Sequence, residues 1–189
     1  MHIVSLEQKK RIHPHKFTMW VAIGSILMMF AGLTSAFIVK SNQTNWISIN
    51  VPKEFWISTG VIITSSLTIQ MALRSFKQRE MMRYRSLIGL TLLLGIGFVF
   101  LQWLGFQELW NQQHITFRGG GAGQFLYVIF GLHAIHVVGG VIALLVIFFR
   151  AYSVRVKNYS SVPVEVAATY WHFVDLLWIY LLVFFLIIG

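Results

Sequence analysis

The sequence predicts an all-α integral membrane bundle of five transmembrane helices, N-terminus inside and C-terminus outside. Three observations predict it. Of 189 residues, 57% are hydrophobic and 11% charged, whereas a soluble domain carries about 25% charged residues. Five apolar stretches are each long enough to cross a hydrocarbon core, which takes about 20 helical residues. The Lys and Arg residues are concentrated on alternate connections.

The first span is expected at 17–39, after a basic N-terminal arm at 1–16. Its apolar run is too long for the core of a signal peptide, and Thr34-Ser35-Ala36 is a poor match to a cleavage site. The second, third, fourth and fifth spans are expected at 55–73, 86–108, 124–149 and 167–188, and 17–189 is read as one transmembrane domain. These runs are too continuous for the in–out alternation of a barrel strand. A helix also satisfies every backbone amide internally, as lipid requires.

Orientation follows from the loops. Lys9, Lys10, Arg11 and Lys16 precede the first span. Arg74, Lys77, Arg79, Arg83 and Arg85 lie around the second connection, and Arg150, Arg155 and Lys157 around the fourth. The opposite side holds Lys40, Lys53 and Arg118. Twelve basic residues against three place the N-terminus inside by the positive-inside rule. Trp56, Trp110 and Trp171 fall at span ends, where an amphipathic ring sits at headgroup depth.

The same composition excludes several functions. There is no Cys, so disulfides, thiolate metal sites and thiol catalysis are absent. The net charge of +9 sits in short loops facing lipid headgroups, which argues for membrane lipids and against nucleic acid as the partner. Arg118 and the run Gly119-Gly120-Gly121-Ala122-Gly123 lack the preceding strand of a phosphate loop and read as a flexible connector. No inverted repeat or broken helix points to a transporter.

Helices associate in lipid through close approach at small residues. Ser25, Gly32 and Ala36 fall within about 40° of one another at 100° per residue, beside Met29. This face serves either packing inside the bundle or docking on a larger partner. Gly131, Gly139 and Gly140 offer similar contact on the fourth span.

Ionisable groups at membrane depth are costly and mark candidate functional sites. They are His133 and His136 in the fourth span and His172 and Asp175 in the fifth, each pair spaced i, i+3 on one helix face. That spacing allows Asp175 to accept a hydrogen bond from His172, a structural pairing favoured over direct chemistry. At about 1.5 Å per residue, His136 lies roughly 20 Å from the inner boundary and His172 and Asp175 roughly 8 and 12 Å from it. A shared metal is disfavoured by that gap, and a b-type haem is left with a pairing of His136 and His172. Glu108 and Glu165 read as interfacial carboxylates.

The segment from Glu165 through Tyr170-Trp171-His172-Phe173-Val174-Asp175 to Trp178 closely resembles the C-terminal signature of subunit III of cytochrome c oxidase and related haem-copper oxidases. Gly131-Leu132-His133-Ala134-Ile135-His136-Val137 resembles that family's paired-histidine helix. Met19-Trp20, Ser25 through Leu33 and Ser35-Ala36-Phe37 are similar to a further family helix, and Leu101-Gln102 with Glu108 to a weaker stretch. The resemblance implies a non-catalytic accessory subunit packed on catalytic subunit I of a respiratory oxidase in the bacterial cytoplasmic membrane. Haem and copper would sit in the partner and none in this chain. It further implies bound phospholipid, support of assembly and proton uptake, and protection during turnover. His133, His136, Glu165, His172 and Asp175 match the family's polar positions, with lipid-binding or structural roles; Ser25, Met29, Gly32 and Ala36 would form the partner-packing face. A quinol oxidase or a nitric oxide reductase complex would share these signatures. The family often has Glu directly after the serine of the first matched helix, where this chain has Ile26. Longer members carry two further N-terminal helices enclosing a lipid-filled cleft, which here would be open or completed by another subunit.

Overall fold

A computed structural model describes residues 14–41, 52–111, 121–152 and 161–188. Lys9, Lys10, Arg11, Arg118, Gly119, Gly120, Arg155 and Lys157 lie outside the described residues. Five helices are present: α1 Pro14–Ser41, α2 Lys53–Lys77, α3 Met81–Asn111, α4 Gly121–Tyr152 and α5 Val162–Ile188. All five are long and apolar enough to cross a membrane, and each expected span lies inside one of them. The helices outrun the spans because backbone hydrogen bonding continues past the last apolar residue.

All three prolines stand at helix starts: Pro14 opens α1, Pro52 caps α2 and Pro163 lies in the first turn of α5. There the missing N–H costs nothing, since the first amides of a helix have no internal acceptor. Helix α2 ends in a Schellman motif. Arg79 N–H donates to Phe76 O at 3.1 Å and Glu80 N–H to Ser75 O at 3.0 Å. Arg79 takes the left-handed conformation this requires, with φ 64°. Helix α3 then leaves within a few residues, antiparallel to α2. Gly121-Ala122-Gly123, expected as a flexible connector, is instead the first turn of α4.

Helices α2, α3, α4 and α5 close a ring in which each packs on its two neighbours, and α1 lies outside the ring against α4 and α5. Among the described residues, α1 meets neither α2 nor α3. Lys16, Lys77 and Glu165 meet at one end, where Arg85 Nε also donates to Ala151 O at 2.8 Å. At the other end Phe55, Phe106, Phe130 and Trp178 interlock, with ring centroids 5.4–5.9 Å apart. The bundle is therefore up-and-down, with the described basic connections gathered at one end.

Close approach depends on glycine at three places. A Cβ on Gly95 of α3 would lie 2.8 Å from Cη2 of Trp171, and one on Gly140 of α4 would lie 3.0 Å from Cε3 and Cζ3 of the same ring. On Gly105 it would collide with Phe55. Trp171 is thus wedged between α3 and α4, 1% exposed, not at the membrane interface as its position near a span end suggested. Trp56 and Trp110 are exposed, as an interfacial ring should be. Gly131 has nothing within 4 Å of its Cβ position, so of the fourth-span glycines Gly140 makes the tight contact.

Candidate functional site

Many of the polar side chains at membrane depth converge on α2, the least apolar helix. Thr68 Oγ1 and Thr91 Oγ1 share a hydrogen bond of 2.8 Å across α2 and α3. Gln102 Nε2 donates to Ser58 Oγ at 2.9 Å. Helix α5 is tied to α2 by Trp171 Nε1 donating to Ser65 Oγ at 3.1 Å and Trp178 Nε1 donating to Thr59 Oγ1 at 3.0 Å. In lipid such bonds supply what the hydrophobic effect cannot, each about 0.6 kcal/mol on average.

His172 joins this network. Its Nδ1 meets Ser66 Oγ at 2.5 Å and its Nε2 meets Gln70 Oε1 at 3.3 Å. Both ring nitrogens are therefore engaged on α2, and the hydrogen bond to Asp175 that the i, i+3 spacing allowed is not made. Asp175 is 4% exposed. Neither of its oxygens has a hydrogen-bond partner, although the Ser66 hydroxyl lies near it. The sharing of a helix face was legible; what was not is that a neighbouring helix offers His172 two better-placed groups.

The histidines of α4 face elsewhere. His136 Nδ1 lies 2.6 Å from Leu132 O, and its ring meets Phe30 of α1 edge-on at 5.9 Å. His133 is 2% exposed and packs against Trp178 at 5.4 Å, with both nitrogens unpartnered. The antiparallel register of α4 and α5 is set by Gly140 opposite Trp171 and His133 opposite Trp178. It brings His136 to the level of Asp175, correcting the depth difference expected from span boundaries. That difference arose because α5 begins at Val162 and not at Ala167. Sharing a level does not join the groups: His136 faces α1 and His172 faces α2, so the two rings do not oppose each other as axial haem ligands would. Among the described residues, no three His, Asp or Glu side chains gather as a metal site.

Glu165 sits in the first turn of α5 and takes Lys16 Nζ at 2.6 Å on one oxygen and Lys77 Nζ at 3.0 Å on the other. It thereby ties α1 and α2 to α5. Beside it a cavity of about 280 Å³ is lined by Lys16, Met19, Trp20, Leu73, Glu165 and Thr169. At the far end, the carboxyl of Glu108 lies beside that of Glu54, and one Glu54 oxygen is buried without a hydrogen-bond partner. Sequence reasoning missed Ser66 and Gln70, and gave Gln102 no role of its own, because it weighed ionisable groups and passed over hydroxyls and amides; it missed Glu54 because that residue lies just before the expected second span. The density of Ser and Thr in α2 was the available signal.

On α1 the side turned into the bundle carries Ile23, Phe30, Thr34 and Phe37, all buried; Thr34 Oγ1 lies 3.0 Å from Tyr180 Oη of α5. Ser25 and Gly32 are exposed, Met29 and Ala36 half-buried. A Cβ on Gly32 would meet nothing within 4 Å. Ser25 and Gly32 are thus on the open side of α1, while Met29 packs against the core.

Five apolar helices tied by interhelical hydrogen bonds and one charged clamp define a polytopic membrane subunit. Its sequence matches the family Cytochrome c oxidase subunit III over residues 15–189. Cytochrome c oxidase subunit 3 of Bacillus subtilis is 25% identical over 98% of this chain and 90% of that protein. The subunit of Bacillus sp. strain PS3 is 27% identical over 90% and 84%. A probable cytochrome c oxidase subunit 3 of Rickettsia bellii is 33% identical over 71% of this chain and 48% of its own length. The chain belongs to the cytochrome c oxidase subunit III family. It is an accessory subunit III of a haem-copper oxidase and assembles with that complex.

Proposed function

We propose that this subunit docks on the catalytic subunit I of its oxidase through the outward face of α1, and that haem and copper reside in that partner. The observation that carries the reading is that Ser25 and Gly32 share an exposed side of α1 with Val21, Met28 and Val39, while Ile23, Phe30, Thr34 and Phe37 turn into the bundle. Small side chains let a partner helix approach closely, the main source of affinity between helices in lipid. The relatives' names favour cytochrome c over quinol as the complex's electron donor. The N-terminus then lies on the inner side of a bacterial cytoplasmic membrane, as the loop charges require.

Phospholipid is the second ligand of this reading. The cavity beside Glu165 pairs the Lys16 ammonium and a carboxylate with apolar walls from Met19, Trp20 and Leu73, and Lys77 reaches the same carboxylate from α2, a chemistry suited to a headgroup above acyl chains. His133, His136, His172 and Asp175 act structurally, holding α4 and α5 to their neighbours. Support of assembly, proton uptake and turnover stability follows from a subunit that braces the catalytic one without touching its cofactors.

The test is recovery of subunit I with tagged subunit III. Gly32→Leu, together with Ser25→Leu, should lower the recovered subunit I several-fold while leaving the helix content of subunit III unchanged. Unchanged recovery overturns the docking face. Because the chain has no Cys, a single Cys at Lys77 reports orientation by labelling from the inner side alone; labelling from outside reverses it. Lipid mass spectrometry on Lys16→Gln and Lys77→Gln subunits should show loss of retained phospholipid, and full retention overturns the headgroup site.

A further inference from the structure

A second cavity, about 130 Å³, lies between α3, α4 and α5 at the end away from the basic loops. Phe98, Phe106, Phe130 and Trp178 wall it, and Gln102 and His133 also line it. These last two are 8% and 2% exposed. The Gln102 amide is oriented by its N–H bond to Ser58 Oγ, whose own hydroxyl donates to Phe55 O at 2.9 Å. That leaves Gln102 Oε1 as an acceptor with no donor, while both nitrogens of His133 are unpartnered. Buried polar atoms left this way cost about 1–3 kcal/mol each, and most such groups in proteins find a partner.

A single water would use little of the space, since it occupies only about 10–15 Å³ measured in this way. A dry apolar cavity of about 150 Å³ accommodates a benzene ring. Here the walls are aromatic and the orphaned atoms are an amide carbonyl and an imidazole. An imidazole in its neutral form offers one N–H and one lone pair. A hydroxyl on a six-membered ring can donate to Gln102 Oε1 and accept from the His133 N–H while the ring packs edge or face against the walls. Trp103 and Ala134, at the rim, are exposed on the outer surface of the bundle, so the entrance faces the hydrocarbon phase.

We propose that this cavity binds a membrane-soluble hydroxylated ring, with its O–H held by Gln102 and His133. Two sources share this chemistry, a free phenol-class solute and the headgroup of a prenylated hydroquinone whose tail leaves through the rim into lipid. No electron transfer is involved, and the site is independent of the docking face on α1.

The experiment uses the full chain in phospholipid nanodiscs, photolabelled with a diazirine-bearing phenol and read by peptide mass spectrometry. Saturable labelling is expected within 98–106 and 130–137, displaced by phenol at about tenfold lower concentration than by benzene, as the hydrogen bonds require. Ala134→Trp narrows the rim without touching the core and should lower labelling several-fold. Gln102→Leu should bring phenol close to benzene. Displacement by a prenylated hydroquinone at lower membrane concentration than phenol assigns the headgroup source; an inert hydroquinone beside active phenol assigns the free ring. Three results overturn the proposal: unsaturable labelling spread over all lipid-facing helices, equal displacement by phenol and benzene in the unaltered chain, or labelling of Ala134→Trp equal to that of the unaltered chain.

Discussion

Adding one methyl group at Gly140 tests whether α4 and α5 are held by a contact that only glycine permits. The new Cβ would lie 3.0 Å from two carbons of the Trp171 indole and 3.3 Å from Cε1 of Tyr170. Ordinarily a ring would move a few tenths of an ångström. Trp171 cannot yield freely, because its Nε1 is tethered to Ser65 and its ring already fills the space that a side chain on Gly95 would need. Overpacking of this kind costs about 1–3 kcal/mol, set against a gain of about 0.8–1.0 kcal/mol from replacing Gly in a helix. Gly131→Ala, one helix face away with open space around it, receives the gain without the clash. The difference between the two variants therefore isolates the clash, at about 1–3 kcal/mol. Reversible unfolding in mixed micelles with increasing SDS, followed by circular dichroism, measures it. If Gly140→Ala is as stable as Gly131→Ala, Trp171 is not wedged and α4 does not pack on α5 through this slot.

Four further outcomes are expected. A double-mutant cycle of Ser65→Ala and Trp171→Phe should give a coupling of about 0.6 kcal/mol and no more than about 1.7; zero coupling in the same unfolding assay would remove the α2–α5 hydrogen bond. Arg79→Gly should raise stability by about 1 kcal/mol, because the left-handed conformation at φ 64° costs an L residue about 1–2; a loss of stability would contradict the motif. Glu165→Gln removes two partly exposed ion pairs of about 0.2–1 kcal/mol each, so a loss above about 3 kcal/mol would mean that the clamp is fully buried rather than partly exposed. Asp175→Asn should weaken retention of the subunit or its lipid while haem and copper absorbance of the assembled oxidase persists; absorbance lost at full subunit occupancy would refute a structural role.

Helix number and approximate limits were legible because span length and loop charge are properties of the chain alone. Every expected span falls within a helix, and Pro14, Pro52 and Pro163 mark three of the starts. What sequence could not supply was facing. Trp171 stood near a span boundary and read as an interfacial ring, yet Gly95 and Gly140 make a slot that draws it inward. Five further helical residues before Ala167 moved Asp175 from a shallow position to the level of His136. Ser25 and Gly32 were recognisable as a face, but only the placement of α1 against α4 and α5 shows that the face looks outward.

The polar groups at membrane depth then divide by the helix they look toward. Those that look toward α2 are satisfied with the exception of Asp175: His172 by Ser66 and Gln70, Trp171 by Ser65, Trp178 by Thr59. His133 and the carbonyl of Gln102 look instead into the α3–α5 cavity and are not. A core made only for packing would have filled that space with apolar atoms, since an unpaired buried polar atom stabilises nothing. Asp175 is the third unsatisfied group, and it lies beside a hydroxyl that His172 has already claimed. Among the described residues, the hydrogen bonds from α5 to α2 are complete within the chain, while Asp175, one Glu54 oxygen, the His133 imidazole and the Gln102 amide oxygen are left without a partner in the bundle.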